Sequence, residues 1–74
     1  MSDSQGLIDP DKLRDKRIRA GLTAAELGRR IKVHKSFIPN VERRVYNVSP
    51  ATLVALAGEL GCDIDDLMPD KAAA

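Results

Sequence analysis

The stretch GLTAAELGRRIKVHKSFIPNVERR, residues 21–44, decides how this chain folds. Gly21 can take the left-handed backbone that closes a preceding helix. Thr23-Ala24-Ala25-Glu26 then reads as a capping box: the Thr23 hydroxyl accepts from the Glu26 amide, and the Glu26 carboxylate reaches back to the Thr23 amide. Leu22 before the cap and Leu27 at the fourth helical position suit a hydrophobic staple. Leu27 and Ile31 lie four apart on one face, with Arg29 and Arg30 on the exposed side. After Lys32-Val33 a second short helix is expected over 34–43, where Ile38 and Val41 recur at helical spacing beside Phe37.

The flanks carry the same punctuation. Asp9 is a good N-cap, Pro10 suits the first helical position and Asp11 suits the positive end of the helix dipole, so a helix should run from there to about Ala20. Ser49-Pro50 opens another, with Leu53, Leu56, Ala57 and Leu60 on one stripe and Gly61 as its stop. Asp63 and Asp66, three apart, cap a fifth short helix whose Ile64 and Leu67 should face inward and which Pro69 ends. Strand signals are weak: Phe37 and Tyr46 are the only aromatics, and no segment alternates cleanly. The expectation is an all-α, compact five-helix bundle over residues 9–69, with flexible tails at 1–8 and 70–74. At 74 residues the chain has room for one domain with a modest core.

Composition excludes several kinds of function. Cys62 is the one cysteine and His34 the one histidine, whereas a zinc site needs about four such ligands. No metal or cofactor is expected. A lone Cys is more often a small buried apolar residue, and it suits a reducing compartment. The polar, acidic start Met1-Ser2-Asp3-Ser4-Gln5-Gly6 does not read as a signal peptide, and no apolar run approaches the ~18–20 residues of a membrane span. A cytoplasmic protein without a membrane partner is expected. With no nucleophile and base to pair and no phosphate loop, neither an enzyme nor a small-molecule ligand is expected. The net charge of +1 hides a strong polarity. Residues 12–44 hold eleven Lys or Arg against Asp15, Glu26 and Glu42, while both flanking segments are net acidic. Such a molecule can offer a basic face to phosphates while staying nearly neutral.

Two short helices joined by a tight turn, inside a small bundle and surrounded by basic residues, describe a helix-turn-helix. One helix is about as wide as the major groove, so an exposed one can insert and read base edges while its predecessor fixes the angle.

The run from Leu13 to Met68 resembles the lambda-repressor-like, Cro/XRE-type helix-turn-helix family. The resemblance rests on Arg17, Gly21-Leu22-Thr23, Glu26-Leu27, Ile31, Val33, Ser36, Ile38, Val41-Glu42-Arg43, Ser49-Pro50, Thr52-Leu53, Leu56-Ala57, Leu60-Gly61 and Ile64-Asp65-Asp66-Leu67. In a chain this short it is most like a phage Cro protein or a small repressor. The resemblance implies a pair between Arg17 and Glu42 bridging the first and third helices. The residues agree: Arg17 falls one turn after Leu13 on the core-facing side, so its charge needs a carboxylate. It also implies phosphate contacts from Thr23 and Ala24, although the family usually has Gln where Ala24 stands. Lys35, Ser36 and Asn40 match its base-reading positions. Lys can donate to guanine, and Asn can pair with adenine. Arg43 and Arg44, after the recognition helix, are expected on phosphate, whereas Arg29, Arg30 and Lys32 read either as phosphate contacts or as solvated charges only.

Four positions depart from the family pattern. Lys32 stands where glycine is preferred in the turn; a left-handed non-glycine residue costs about 1 kcal/mol, so an adjusted turn is expected. His34 replaces a Ser or Thr cap and either caps poorly or points at phosphate. Arg44 stands where glycine often ends the recognition helix. Pro39 is the gravest, since inside a helix it costs about 3 kcal/mol. The favoured resolution is a later start, with Ser36 as N-cap, Pro39 in the first turn and Lys35 displaced into the turn. The function expected is operator binding as a homodimer, with a dimer surface near Val45, Tyr46 and Val48 or the fourth and fifth helices. The alternative is an antitoxin-type protein that mainly grips a partner protein.

Overall fold

Every long helix of this protein begins where its cap is written. The computed structural model describes residues 7–70 and contains α1 (Pro10–Arg19), α2 (Ala24–Arg30), α3 (Phe37–Glu42) and α4 (Pro50–Leu60), followed by one 3₁₀ turn, Ile64–Asp66. The Asp9 carboxylate accepts from the Asp11 amide at 2.9 Å. The Thr23 hydroxyl accepts from the Glu26 amide at 3.0 Å while the Glu26 carboxylate accepts from the Thr23 amide at 2.8 Å, closing the capping box. The Ser49 hydroxyl accepts from the Thr52 amide at 3.2 Å. Gly21 and Gly61 have φ of +76° and +67°, the left-handed turns expected after α1 and α4.

One device repeats at four of the five starts. The residue before the cap and the fourth residue after it are both apolar and both packed in or against the core: Ile8 with Leu13, Leu22 with Leu27, Val48 with Leu53, and Cys62 with Leu67. This is the placement of a hydrophobic staple, which fixes the angle at which the chain enters a helix. Ile38 and Val41 of α3 and Leu56 and Ala57 of α4 complete the core. Burying each large aliphatic side chain contributes about 1.5–3 kcal/mol. α3 packs between α1 and α2, while α4 packs on α2 and on the 3₁₀ turn.

Several expectations need correction. There are four α-helices among the described residues, not five. The caps of the last element lie too close together for an α-helix, and it makes only i to i+3 bonds, from Asp66 to Asp63, Leu67 to Ile64 and Met68 to Asp65. A single turn directs one apolar side chain inward, and Leu67 takes that place; Ile64, expected to face the core, is 41% exposed. The expected tails lie mostly outside the described residues, but Ile8 is buried as the staple of α1 and does not belong to a tail. The Asp9 amide also donates to the Leu67 carbonyl at 2.7 Å, tying the start of α1 to the end of the fold. Val48 is buried by the same stapling and cannot form a dimer surface, whereas its neighbours Val45 and Tyr46 are exposed. The turn at Lys32 is not adjusted: Lys32 adopts φ of +64°. Among the described residues no helix is long and apolar enough to cross a membrane, and no cluster of His, Cys, Asp and Glu could hold a metal ion.

Candidate nucleic-acid interface

α3 starts late, as Pro39 requires. Ser36 is the residue before it, and Pro39 is its third residue, where an amide has no intrahelical acceptor and none is lost. Lys35 accordingly lies in the preceding turn. The entry differs from those of the other helices. Asp9, Thr23 and Ser49 are extended, with ψ of 112°, 163° and 164°, whereas Ser36 has a helical ψ of −8° and its side chain caps nothing. The His34 imidazole does local work instead: its Nδ1 accepts from the Ser36 amide at 3.1 Å and lies 2.8 Å from the Ser36 hydroxyl. With Nδ1 acting as acceptor, the neutral ring carries its proton on Nε2.

The consequence is a helix with no staple. The positions that hold apolar pairs at the other starts are occupied here by Lys35 and Asn40, one exposed and one half-buried. Ser36, Asn40 and Arg43 lie at i, i+4 and i+7, one stripe of the helix, while Ile38 and Val41 occupy the buried side. Two base-reading candidates, Ser36 and Asn40, therefore share one stripe, and the third, Lys35, is exposed in the turn before it. Two of them already have partners. The Ser36 hydroxyl engages His34, and Asn40 Oδ1 accepts from Arg43 Nη2 at 2.8 Å.

What holds so short a helix is tertiary. Arg17 of α1 donates from Nε and Nη2 to the two Glu42 oxygens at 2.6 and 3.0 Å, and from Nη1 to the Leu22 carbonyl at 2.9 Å. Both side chains are shielded, 14% and 11% exposed. The two-point pair clamps α3 to α1 as expected, and it neutralises the Glu42 carboxylate. At the far end the Asn40 carbonyl accepts from the Val45 and Tyr46 amides at 2.8 and 3.2 Å, and the Tyr46 ring sits 5.8 Å from Phe37. The chain leaving α3 thus folds back along it.

The phosphate candidates are dispersed around this element. Thr23 and Ala24 stand at the start of α2, the first exposed and the second half-buried against the core. The Thr23 oxygen is used as acceptor in the cap, which leaves its O–H free to donate. His34, Arg43 and Arg44 are exposed. Arg44 adopts φ of +66°, the left-handed conformation that favours glycine, and donates to Asp11 of α1 at 3.0 Å. Sequence reasoning missed this ion pair, and no local signal announces a contact across 33 residues. Arg30 lies 3.5 Å from Glu59 of α4.

Elsewhere the chemistry is unsuited to phosphate. An open hollow of about 530 Å³ between the start of α1 and the 3₁₀ turn is lined by Asp11, Asp15, Asp65, Asp66 and Asp70 beside Lys12 and Lys16. Burial, with Asp66 nearby, pushes the Cys62 thiol up from its ordinary value. The Thr23 amide and hydroxyl hold the Glu26 carboxyl below its ordinary value.

Comparison with known proteins agrees with this geometry. The sequence profile of the helix-turn-helix family matches residues 13–67. The fold is similar to that of a hypothetical transcription factor from Neisseria, with a TM-score of 0.79 and 23% identity over 99% of this chain and 86% of that one. It is similar to the restriction-modification controller protein C.AhdI from Aeromonas hydrophila, with a TM-score of 0.75 and 29% identity over 80% and 86% of the two chains. It is also similar to the clp gene regulator ClgR from C. glutamicum, with a TM-score of 0.71 and 28% identity over 77% and 74%. Among curated proteins no sequence matches.

Proposed function

The chain belongs to the Cro/XRE-type helix-turn-helix family, and from that premise we propose that it is a sequence-specific, double-stranded DNA-binding transcriptional regulator, Cro- or repressor-like, that inserts α3 in the major groove. One observation carries the reading. At four element starts the stapling positions are apolar and packed on the core, and only at α3 are they the polar, hydrogen-bonding Lys35 and Asn40. That exchange gives up burial at the helix that is least able to spare it, and it supplies donors suited to base edges. In this reading Lys35, Ser36 and Asn40 read bases. Lys35 donates to guanine O6 or N7, and the Asn40 amide turns from Arg43 toward adenine. Thr23, Ala24 (through its amide), His34 (through Nε2), Arg43 and Arg44 meet phosphates and set the register.

A single α3 of six residues covers too few base pairs for specificity, so two copies bind, with half-sites about one helical turn apart. The exposed apolar residues Val45, Tyr46 and Val54 offer the surface for pairing. The test is selection of bound duplexes from a random pool, followed by affinity measurement over a salt series. The expected result is a palindromic site with log K falling steeply as log salt rises. No enrichment, together with no binding at low salt, would overturn the proposal.

A further inference from the structure

Between α1, α2 and α3 lies an open pocket of about 290 Å³, lined by Arg14, Arg17, Ala24, Pro39, Glu42 and Arg43. Its charges do not balance. Arg17 and Glu42 satisfy each other in their two-point pair. Arg14 from α1 and Arg43 from α3 remain, and among the described residues neither has a carboxylate partner. Among the described residues the only side-chain tie on Arg43 is to the neutral Asn40 amide, which leaves its charge uncancelled. Ala24 and Pro39 contribute small, stiff groups that leave the space open. Two guanidinium groups facing one unfilled concavity repel each other, and an anion placed between them reverses the sign of that interaction.

We infer that this pocket seats one backbone phosphate of the bound duplex and that Arg14 is a phosphate-binding residue acting with Arg43. The inference rests on the DNA-binding reading above. The chemistry suits phosphate, because a guanidinium fork matches two phosphate oxygens at once. The pocket is also open enough, at about 290 Å³, to admit the group. Position also agrees, since Arg43 ends the outward stripe of α3 and a duplex gripping that stripe brings its backbone past the pocket. Arg14, an exposed residue of α1, thereby joins α1 to the interface as a contact rather than only a support.

The test compares Arg14→Gln with Arg19→Gln, which removes an equal charge from an exposed α1 residue paired with Asp15 and outside the pocket. Each is measured by fluorescence anisotropy over a salt series on the labelled duplex recovered from the random pool. Arg14→Gln should bind roughly three- to tenfold more weakly, with a salt slope shallower by about 0.9, while Arg19→Gln keeps the wild-type slope. Arg14→Lys keeps the charge and loses the fork, so it should recover the slope but only part of the affinity. If wild type binds and Arg14→Gln matches Arg19→Gln in affinity and slope, the pocket is not a phosphate seat and the DNA-binding reading stands. If wild type binds no duplex, both fall together.

Discussion

Replacing Glu42 with alanine should unfold much of this protein's margin of safety. Among the described residues Glu42 is the sole carboxylate on Arg17, reached at 2.6 and 3.0 Å, and the Arg17 side chain is only 14% exposed. Without Glu42 the guanidinium keeps one partner, the Leu22 carbonyl. Breaking a fully buried pair from one side costs about 3–5 kcal/mol. Partial access of water at this site lowers the figure to roughly 2–4 kcal/mol. A domain of this length has a total stability of roughly 4–11 kcal/mol. At about 4–8 °C per kcal/mol for a small domain, the melting temperature should fall by roughly 8–32 °C. Thermal melts followed by circular dichroism read it directly. The cycle is completed by Arg17→Met and by the double variant Arg17→Met/Glu42→Leu. The double should be far more stable than the sum of the single losses implies, because no charge is then left stranded. If Glu42→Ala costs less than about 1 kcal/mol, or if the single losses simply add, the clamp between α1 and α3 is not what positions the recognition helix.

Three further outcomes follow from particular residues. Lys32→Gly should raise stability by about 1 kcal/mol, because glycine carries no penalty at φ of +64°; a lower melting temperature would show that the Lys32 side chain holds the turn. Pro39→Ala should change stability by less than about 1 kcal/mol, since the ring sits in the first turn of α3; a gain near the ~3 kcal/mol of an interior proline would refute the late start. Glu26 is held below its ordinary value by Thr23. Its stabilising contribution is therefore complete above the unfolded-state pKa of about 4.3 and is lost as pH falls through the lower folded value. Glu26→Gln keeps the capping bond without titrating, so its acid-denaturation curve should lose that part of the slope; an unchanged curve would remove the box from the pH response.

Much of the candidate site was legible early because it is written in short-range chemistry. The cap residues before α1, α2 and α4 act over three residues or fewer, and each was readable where it stands. The effect of Pro39 was equally local, since a missing amide and a fixed ring restrict where a helix can begin. The stapling of Ile8 and Val48 was also within reach. Both precede a cap and face a leucine five positions on, as Leu22 does with Leu27. The pairing of Arg17 with Glu42 needed the added argument that a charged group on a core-facing side demands a partner.

Composition and local spacing, then, settled that this chain is helical, where its long helices open and close, and that a short cationic segment lies at its centre. They could do so because caps, prolines and left-handed glycines act on their immediate neighbours. Folding in three dimensions was needed to turn Ile64 outward, to hold Lys32 and Arg44 at positive φ, to join Arg44 to Asp11, and to bring Arg14 opposite Arg43 across one pocket. Those outcomes depend on which surfaces meet after α1, α2 and α3 have packed together, and no periodicity along the chain encodes the distance between side chains on different helices.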